Sequence, residues 1–595
     1  MQRVADYLME RLRADGVRHI FLVTGRGALF LTDAVARLQE SVSGISCHHE
    51  QAAAFAAAAY AQHSGQLGVC LVSTGCAATN ALTGTLSAWQ DGLPCVFISG
   101  QNTLRETTRF TGKRIRTYGQ QEADIVALAK PITKYAVMIS DPLRIAYELD
   151  KALHLARSGR QGPVWIDVPL DVQSMRVEPE QLERYAPQEA ANPIPSAVDV
   201  TAVADSIRMA NRPVVLIGSG VRAAGAIESL TRFLGRCNLP VVYAASAVDT
   251  LDADNPLVIG SAGTMGSSRA GCFAVQNADL LLVLGHRLSS MTTGTEFQKF
   301  ARAAKTIVVD IDPEEHSKDG VRIDHLIIAD LGEFIPRLDG ELGDIQRGAW
   351  LEKCQHWTQA FPACEPAHRT SGRVDLYLLA CVLSQVLPPE TSLITDSGFA
   401  EVILPTNVAF SKGRRSIHPV SQGAMGFALP AIVGAHFASG KPVVAVVGDG
   451  SVMMNLQELQ TIRHHGIPAK ILVIDNNVYA IIRRRQKDLF RTRTIGTDPS
   501  NGVSCPDFRK VAAAFDFTYV RIENANDLDH GLETVMATPG PVLCHISGRE
   551  DQAYVETSIA KNSSGRLVRR PLEDQAPFLD RETFLAEMII DPIDQ

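Results

Sequence analysis

The chain has 595 residues, 46% hydrophobic and 21% charged, and at roughly 150 residues per domain this length predicts three or four compact units. Its 57 basic and 65 acidic residues leave a formal charge of -8, which argues against general nucleic-acid binding. No apolar run approaches the ~20 residues that cross a bilayer, so no membrane association is expected.

Val4, Leu8 and Leu12 fall at helical intervals with charges between them, unlike the unbroken apolar stretch of a secretion signal, and a cytoplasmic protein is expected. The first block carries strand-like runs at 19–23, 68–72, 95–98 and 164–168, with an alanine-rich helix over 51–62. A proline- and acid-rich linker follows over 169–195. The second block has strands at 213–217, 280–284 and 307–310, and a second linker carries Trp350, Trp357 and Pro362. The third has strands at 392–396, 443–447, 470–474 and 541–545, after which a charged tail reads as surface cover. Strands alternating with helices predict an α/β fold of three doubly wound parallel-sheet domains, 1–180, 195–340 and 370–550, with a C-terminal tail over 551–595. The 11 cysteines include no CxxC pair, and several lie in apolar strands, which predicts reduced thiols.

Gly448-Asp449-Gly450-Ser451 follows one apolar strand directly, a helix is expected over 453–465, and Asp475-Asn476-Asn477 leaves the next strand. Such a crossover brings Asp449 and Asn476 together at the carboxyl edge of a parallel sheet, where ligands of open sheets bind. A carboxylate and an amide oxygen are hard ligands suited to Mg2+, which also takes phosphate oxygens. The glycines admit backbone amides to a diphosphate at the positive end of the following helix. No Walker A sequence occurs, so the spacing predicts a magnesium-diphosphate site of another kind; taken singly, each motif reads as a plain turn.

GDGS followed by NN at this distance resembles the signature of thiamine-diphosphate (ThDP) enzymes, and the similarity to their acetolactate-synthase-like branch runs along essentially the whole chain. The resemblance implies pyrimidine-binding, central and diphosphate-binding domains. It implies that Asp449, Asn476 and the Val478 carbonyl hold Mg2+ while Gly450 and Ser451 hold the diphosphate. His48-His49-Glu50-Gln51 resembles the segment whose glutamate, here Glu50, bonds the aminopyrimidine ring. A carboxyl sharing a proton with ring N1′ favours the imino tautomer that deprotonates thiazolium C2, and a dry site suits it to that exchange. Gly75 to Asn80 resembles a GPGATN turn with Cys76 and Ala77 in place of proline and glycine, which puts Asn80 near the pyrimidine. Gln121 falls where a glutamine meets substrate. In Gly423-Ala424-Met425-Gly426, the Gly423 carbonyl would accept from the 4′-amino group and Met425 would fold the cofactor, plain core packing being the alternative for Met425. In this family each cofactor is shared between subunits, so a homodimer is the least assembly expected, and a homotetramer is common.

The turns at Gly218-Ser219-Gly220, Gly285-His286-Arg287 and 310–313 resemble a central domain that often binds FAD, here as a structural or vestigial group. The GxGxxxxG spacing is no dinucleotide fingerprint, and structural turns are the alternative. Met291 stands where flavin-binding relatives tend to carry an arginine.

The implied reaction is decarboxylation of a short 2-oxo acid, pyruvate first, and carboligation of the two-carbon unit to an acceptor carbonyl. HHEQA, KPITKYAV, GPVWIDVPLDVQ and RRPLED resemble a subgroup tied to branched-sugar and surface-polysaccharide pathways, which points to a keto-sugar. Arg485 replaces that family's pocket tryptophan, Gln120 a phenylalanine and Arg26 a glycine, and guanidinium groups suit a polar or anionic acceptor. The alternative for 483–485 is a solvated helix face. A non-ligating decarboxylase, acetolactate synthase proper and a catalytically idle ThDP-fold protein are the competing readings; the expected partners are small-molecule substrates.

Overall fold

The computed structural model describes residues 1–187, 192–345, 348–562 and 565–593. Its framework is three six-stranded sheets, each wholly parallel within itself. The first contains β1 (His19–Leu22), β2 (Ser43–Ser46), β3 (Gly68–Val72), β4 (Cys95–Gln101), β5 (Tyr135–Met138) and β6 (Val164–Pro169), in the order β2-β1-β3-β4-β6-β5. The second contains β7 (Pro213–Ile217), β8 (Val241–Tyr243), β9 (Val258–Ser261), β10 (Leu280–Leu284), β11 (Lys305–Asp310) and β12 (His325–Ile328), in the order β9-β8-β7-β10-β11-β12. The third contains β13 (Ser392–Thr395), β14 (Arg415–Ile417), β15 (Val443–Gly448), β16 (Lys470–Asp475), β17 (Thr518–Ile522) and β18 (Val542–Ser547), in the order β14-β13-β15-β16-β18-β17. Central strands such as β3 and β10 are buried at every position because helices cover both sheet faces.

The first and third sheets share one strand order, and the helix between their second and third strands is equivalent in each. These are α1 (Glu50–Ser64) and α3 (Ala428–Ser439), which pack on each other; α2 (Gly348–Ala360) lies between them in sequence. Helix α1 is buried from 52 to 61, and a helix apolar all round belongs inside a protein. Alanine keeps it thin enough to be sandwiched. A Cβ on Gly68 of its own sheet would stand 2.0 Å from the Ala57 carbonyl oxygen, and one on Gly434 of α3 would stand 2.1 Å from that of Ala56. The Phe55 and Phe427 rings close the contact edge-to-face at 5.4 Å.

Four expectations need correction. Trp350 and Trp357 lie in no linker: both are buried on α2, against the core that holds Phe273. The tail is more than surface cover. It forms a hairpin, β19 (Ile559–Lys561) with β20 (Leu567–Arg569), and then inserts Leu572 and Phe584 into that same core. Glu573 there is buried, accepting from Arg302 at 2.7 Å and from the Gln276 amide at 2.6 Å. The helix expected over 453–465 is broken into a 3-10 turn, Val452–Asn455, and an α-helix, Glu458–His464, and at the break the Asn455 side-chain amide donates to the Gly426 carbonyl. The first linker is partly ordered by pairing Arg176–Val177 with Gln2–Arg3; its residues 188–191 lie outside the described ones. All eleven cysteines are free thiols, and among the described residues no helix is long and apolar enough to cross a membrane.

Candidate active site

Strand order in the third sheet reverses between β13 and β15, the place where an open parallel sheet leaves a crevice at its carboxyl edge. Asp396 follows β13 and Asp449 follows β15. The Asp449 carboxylate accepts from the Gly450 amide at 2.7 Å and from the Asn477 amide at 2.6 Å, which ties it to the turn leaving β16. The Asn476 amide oxygen accepts weakly from the Val478 amide at 3.3 Å. Burial, with some repulsion from Asp475, pushes the Asp449 carboxyl up to about 7, whereas the His545 hydrogen bond holds Asp475 low. No cationic side chain pairs with Asp449 among the described residues. Nor do three His, Cys, Asp or Glu side chains cluster there as a metal cage. A dry carboxylate, an amide oxygen and a backbone carbonyl are the donor set of a hard cation whose remaining ligands are phosphate oxygens and water, and in that sense these residues fit Mg2+.

Neighbouring groups shape the rest of the crevice. The Ser451 hydroxyl and Asp396 Oδ2 both accept from the Gly426 amide, at 3.0 and 3.1 Å. Asp396 Oδ1 is buried with no partner among the described residues, and burial pushes that carboxyl up to about 7. Gly423 has φ of 57°, and the Glu401 carboxylate oxygen is 3.3 Å from where its Cβ would stand. Met425 lies beside it, half-buried. The Tyr479 ring covers Gly450 so closely that a Cβ there would fall 1.9 Å from the ring.

In the first domain Glu50 opens α1, and the Asn80 amide donates to it at 2.9 Å. Next to it, Gln51 accepts from the Asn455 amide at 3.1 Å, the same amide that donates to the Gly426 carbonyl at 2.8 Å. The His48 amide reaches Glu458 at 3.1 Å. The start of α1 therefore abuts the 423–426 loop within one chain. Arg26 donates to Gln120 at 2.9 Å. The Gln121 carbonyl is pressed against Gly75, whose φ of 61° and lack of a side chain admit it: a Cβ there would be 1.4 Å from that oxygen. Arg485 stands apart from these two. It lies on α4 (Ala480–Phe490), pairs with Glu556 at 3.4 Å and lines a cleft against the central domain.

Strand order in the central sheet reverses between β7 and β10, again a crevice for a nucleotide. Here the two loops close on each other. A Cβ on Gly218 would stand 2.3 Å from the Gly285 carbonyl oxygen, and the Gly220 amide donates to that carbonyl at 3.0 Å. Arg222 is engaged with Asp249 at 3.1 Å, and Asp310 with His316 at 3.3 Å. Packing accounts for the glycines, and Arg222 and Asp310 are paired, whereas among the described residues the Arg287 guanidinium reaches only the Ser421 hydroxyl, at 3.4 Å.

The geometry has a counterpart among known proteins. Residues 2–128, 200–338 and 396–546 match the N-terminal TPP binding domain, the central domain and the C-terminal TPP binding domain of thiamine pyrophosphate enzymes. The chain belongs to this family. The acetolactate synthase isozyme 2 large subunit of Escherichia coli (strain K12) is 31% identical over 91% of this chain and 95% of its own length. The acetolactate synthase large subunit of Parasynechococcus marenigrum (strain WH8102) is 32% identical over 95% and 91%, and acetolactate synthase 1, chloroplastic, of Zea mays is 31% identical over 91% and 85%. With coverage this complete on both sides, the thiamine pyrophosphate enzyme described here is acetolactate-synthase-like throughout.

Asp396, Glu401 and Tyr479 escaped the sequence reading. Asp396 carries part of the signal of Asp449, an acid ending an apolar strand, but Ser397 stands between it and Gly398. Glu401 and Tyr479 carry none, since only the folded turn directs them at Gly423 and Gly450.

Proposed function

We propose that the protein decarboxylates a short 2-oxo acid, pyruvate first, and joins the two-carbon unit to the carbonyl of a polar or anionic ketone, a keto-sugar among them. The observation that carries this reading is the chain of contacts from Glu50 through Gln51 and Asn455 to the 423–426 loop, beside the paired Asp449 and Asn477. That contact supports reading the Glu50 carboxyl and the Asp449 edge as parts of one cofactor site. ThDP, when bound, supplies a carbon acid that adds to the 2-oxo acid and accommodates the electron pair left by carbon dioxide. Asp449, Asn476 and the Val478 carbonyl would hold Mg2+ against its diphosphate, with Gly450 and Ser451 lining the same edge. Glu50 holds a proton at the pyrimidine side, and Asn80, donating to its carboxylate, keeps it in one orientation. Gln121, with Gln120 and Arg26, offers polar groups toward the acceptor.

On the family resemblance the reading takes a homodimer as the least active assembly, with a homotetramer expected, although α1 meets the 423–426 loop within one chain, and it gives flavin no step; a colourless purified protein would agree. The relatives named acetolactate synthase favour a second reading, in which the acceptor is another small 2-oxo acid. Carbon dioxide release from pyruvate, measured with and without candidate ketones and with product analysis, separates the readings. Release coupled to a new carbon-carbon bond with a hydroxylated ketone supports the proposal, and release of free aldehyde alone refutes it. Glu50→Gln should retain bound ThDP yet lose C2 proton exchange and turnover by a factor of about 100 or more; wild-type turnover in that variant overturns the role of Glu50.

A further inference from the structure

A cleft of about 220 Å³ opens between the central domain, α4 and the tail hairpin, and a single chain completes it. Its charge is unlike that of the whole molecule. Lys299, Arg485, Arg569 and Arg570 line it against two acids, Glu296 and Glu556, in a chain whose formal charge is -8. Glu556 also takes the neighbouring Arg484, so the acids are committed to ion pairs. One tail arginine is left over. The Arg569 guanidinium has no hydrogen bond or ion pair among the described residues, whereas Arg570 pairs with Asp574 at 3.5 Å and donates to the Lys561 carbonyl at 2.6 Å, its buried Nε alone lacking a partner. Three hydroxyls on the same wall, Ser290, Thr295 and Thr557, likewise make no side-chain hydrogen bond among the described residues.

The unpaired Arg569 fork, with the Arg570 Nε beside it, matches a phosphoryl group, and free hydroxyls match a polyol. From this we infer that the cleft binds the phosphorylated, hydroxylated end of the acceptor, a ketose phosphate in chemical class. Size agrees with a small ligand: the cleft lies below the ~300 Å³ at which pockets for drug-sized molecules begin, and a phosphorylated sugar chain fits. Position agrees with it. Arg485 is five residues beyond Ala480, where α4 begins two residues after Val478, about 7.5 Å along the helix at 1.5 Å per residue, so an acceptor held here by its phosphate can extend its carbonyl toward the crevice. The inference rests on the proposed carboligation for its meaning but not for its test.

The test is calorimetric titration of the ThDP-loaded protein with xylulose phosphate, free xylulose and inorganic phosphate, on wild type and on Arg569→Ala, Arg570→Ala and Arg569→Lys. Xylulose phosphate should bind at least tenfold more tightly than either fragment. Each alanine variant should weaken it about tenfold, and Arg569→Lys should fall between, because charge survives and the fork does not. Unchanged melting temperature separates lost contacts from lost folding; should Arg570→Ala melt early, Arg569→Ala alone decides. Equal affinity in wild type and Arg569→Ala, or no binding of xylulose phosphate, overturns the inference. Inorganic phosphate binding as tightly as the sugar phosphate overturns the polyol half of it. Titration needs no turnover, so absent carbon dioxide release would sink the proposed reaction while leaving this result intact.

Discussion

Glu401 shows how one buried carboxyl can set a pH limit. Burial, with Asp396 and Asp91 close by, pushes it up to about 8 from an ordinary 4.5, so it enters the crevice beside Gly423 uncharged at neutral pH. The unfolded chain ionises this group from about pH 4.5 and the folded protein only near 8. The folded state thus binds more protons across that interval, and stability falls as pH rises through it. Glu401→Gln copies the protonated form. Its unfolding midpoint should gain on wild type steadily as pH is raised, and wild-type turnover should decline above pH ~8 while the glutamine variant's does not; parallel pH-rate profiles would show that Glu401 does not titrate there. Gly450 is constrained by space alone. Gly450→Ala must displace the Tyr479 ring, two residues beyond Asn477, which bonds Asp449. The expected result is ThDP and magnesium binding weakened at least tenfold with little change in thermal stability, read by titration of the apoprotein.

Between elements, the contact of α1 with α3 decides whether the two ends of the crevice meet. An alanine in a helix interior is favoured over glycine by about 1 kcal/mol, so Gly434→Ala would stabilise α3 by itself. The new Cβ would stand 2.1 Å from the Ala56 carbonyl oxygen, a backbone atom that no rotamer change can move. Overpacking of this kind costs about 1–3 kcal/mol, so Gly434→Ala should lose stability and, by shifting Glu50 from the 423–426 loop, activity. Gly235→Ala, in the helix Ile227–Cys237 with nothing within 4 Å of the new Cβ, should instead gain about 0.5–1 kcal/mol. Denaturant titration of both checks the opposite signs. Legibility of the elements follows the same physics. Strands buried on both faces announce themselves as unbroken apolar runs, and those were readable. The strands of the three large sheets missed were β2, β5, β9, β12, β14 and β17, all at sheet edges, and the three-residue β8; a run such as Ser43-Gly44-Ile45-Ser46 carries one buried apolar side chain. The Asp449 and Asn476 crossover was readable because strand ends fix it. Arg485 was legible as a residue but not as a place, since nothing in its helix says that the tail folds back to face it.

At the scale of the whole chain, side chains knot the three sheets together. Burial alone would raise the Asp249 carboxyl, yet Arg415 and Arg222 hold it below its ordinary value. Arg415 also donates to the carbonyls of Gln62 and His63 at the end of α1, so one acid joins the central domain to both others. The end of the tail performs a similar service for the central domain. Phe584 packs within 5.9 Å of the Phe273 ring and shares its core with Trp350 and Trp357, with Arg581 over its face at 4.3 Å. Truncating such a ring costs about 3–5 kcal/mol. Phe584→Ala should therefore lower a calorimetric transition that belongs to the central domain. Ligand stabilises only the states that bind it, so ThDP with magnesium should raise the transition of the first and third domains and leave the lowered one nearly where it is. A single transition, shifted equally by cofactor in wild type and variant, would mean that the knot at Asp249 couples the domains more tightly than the tail's local packing does.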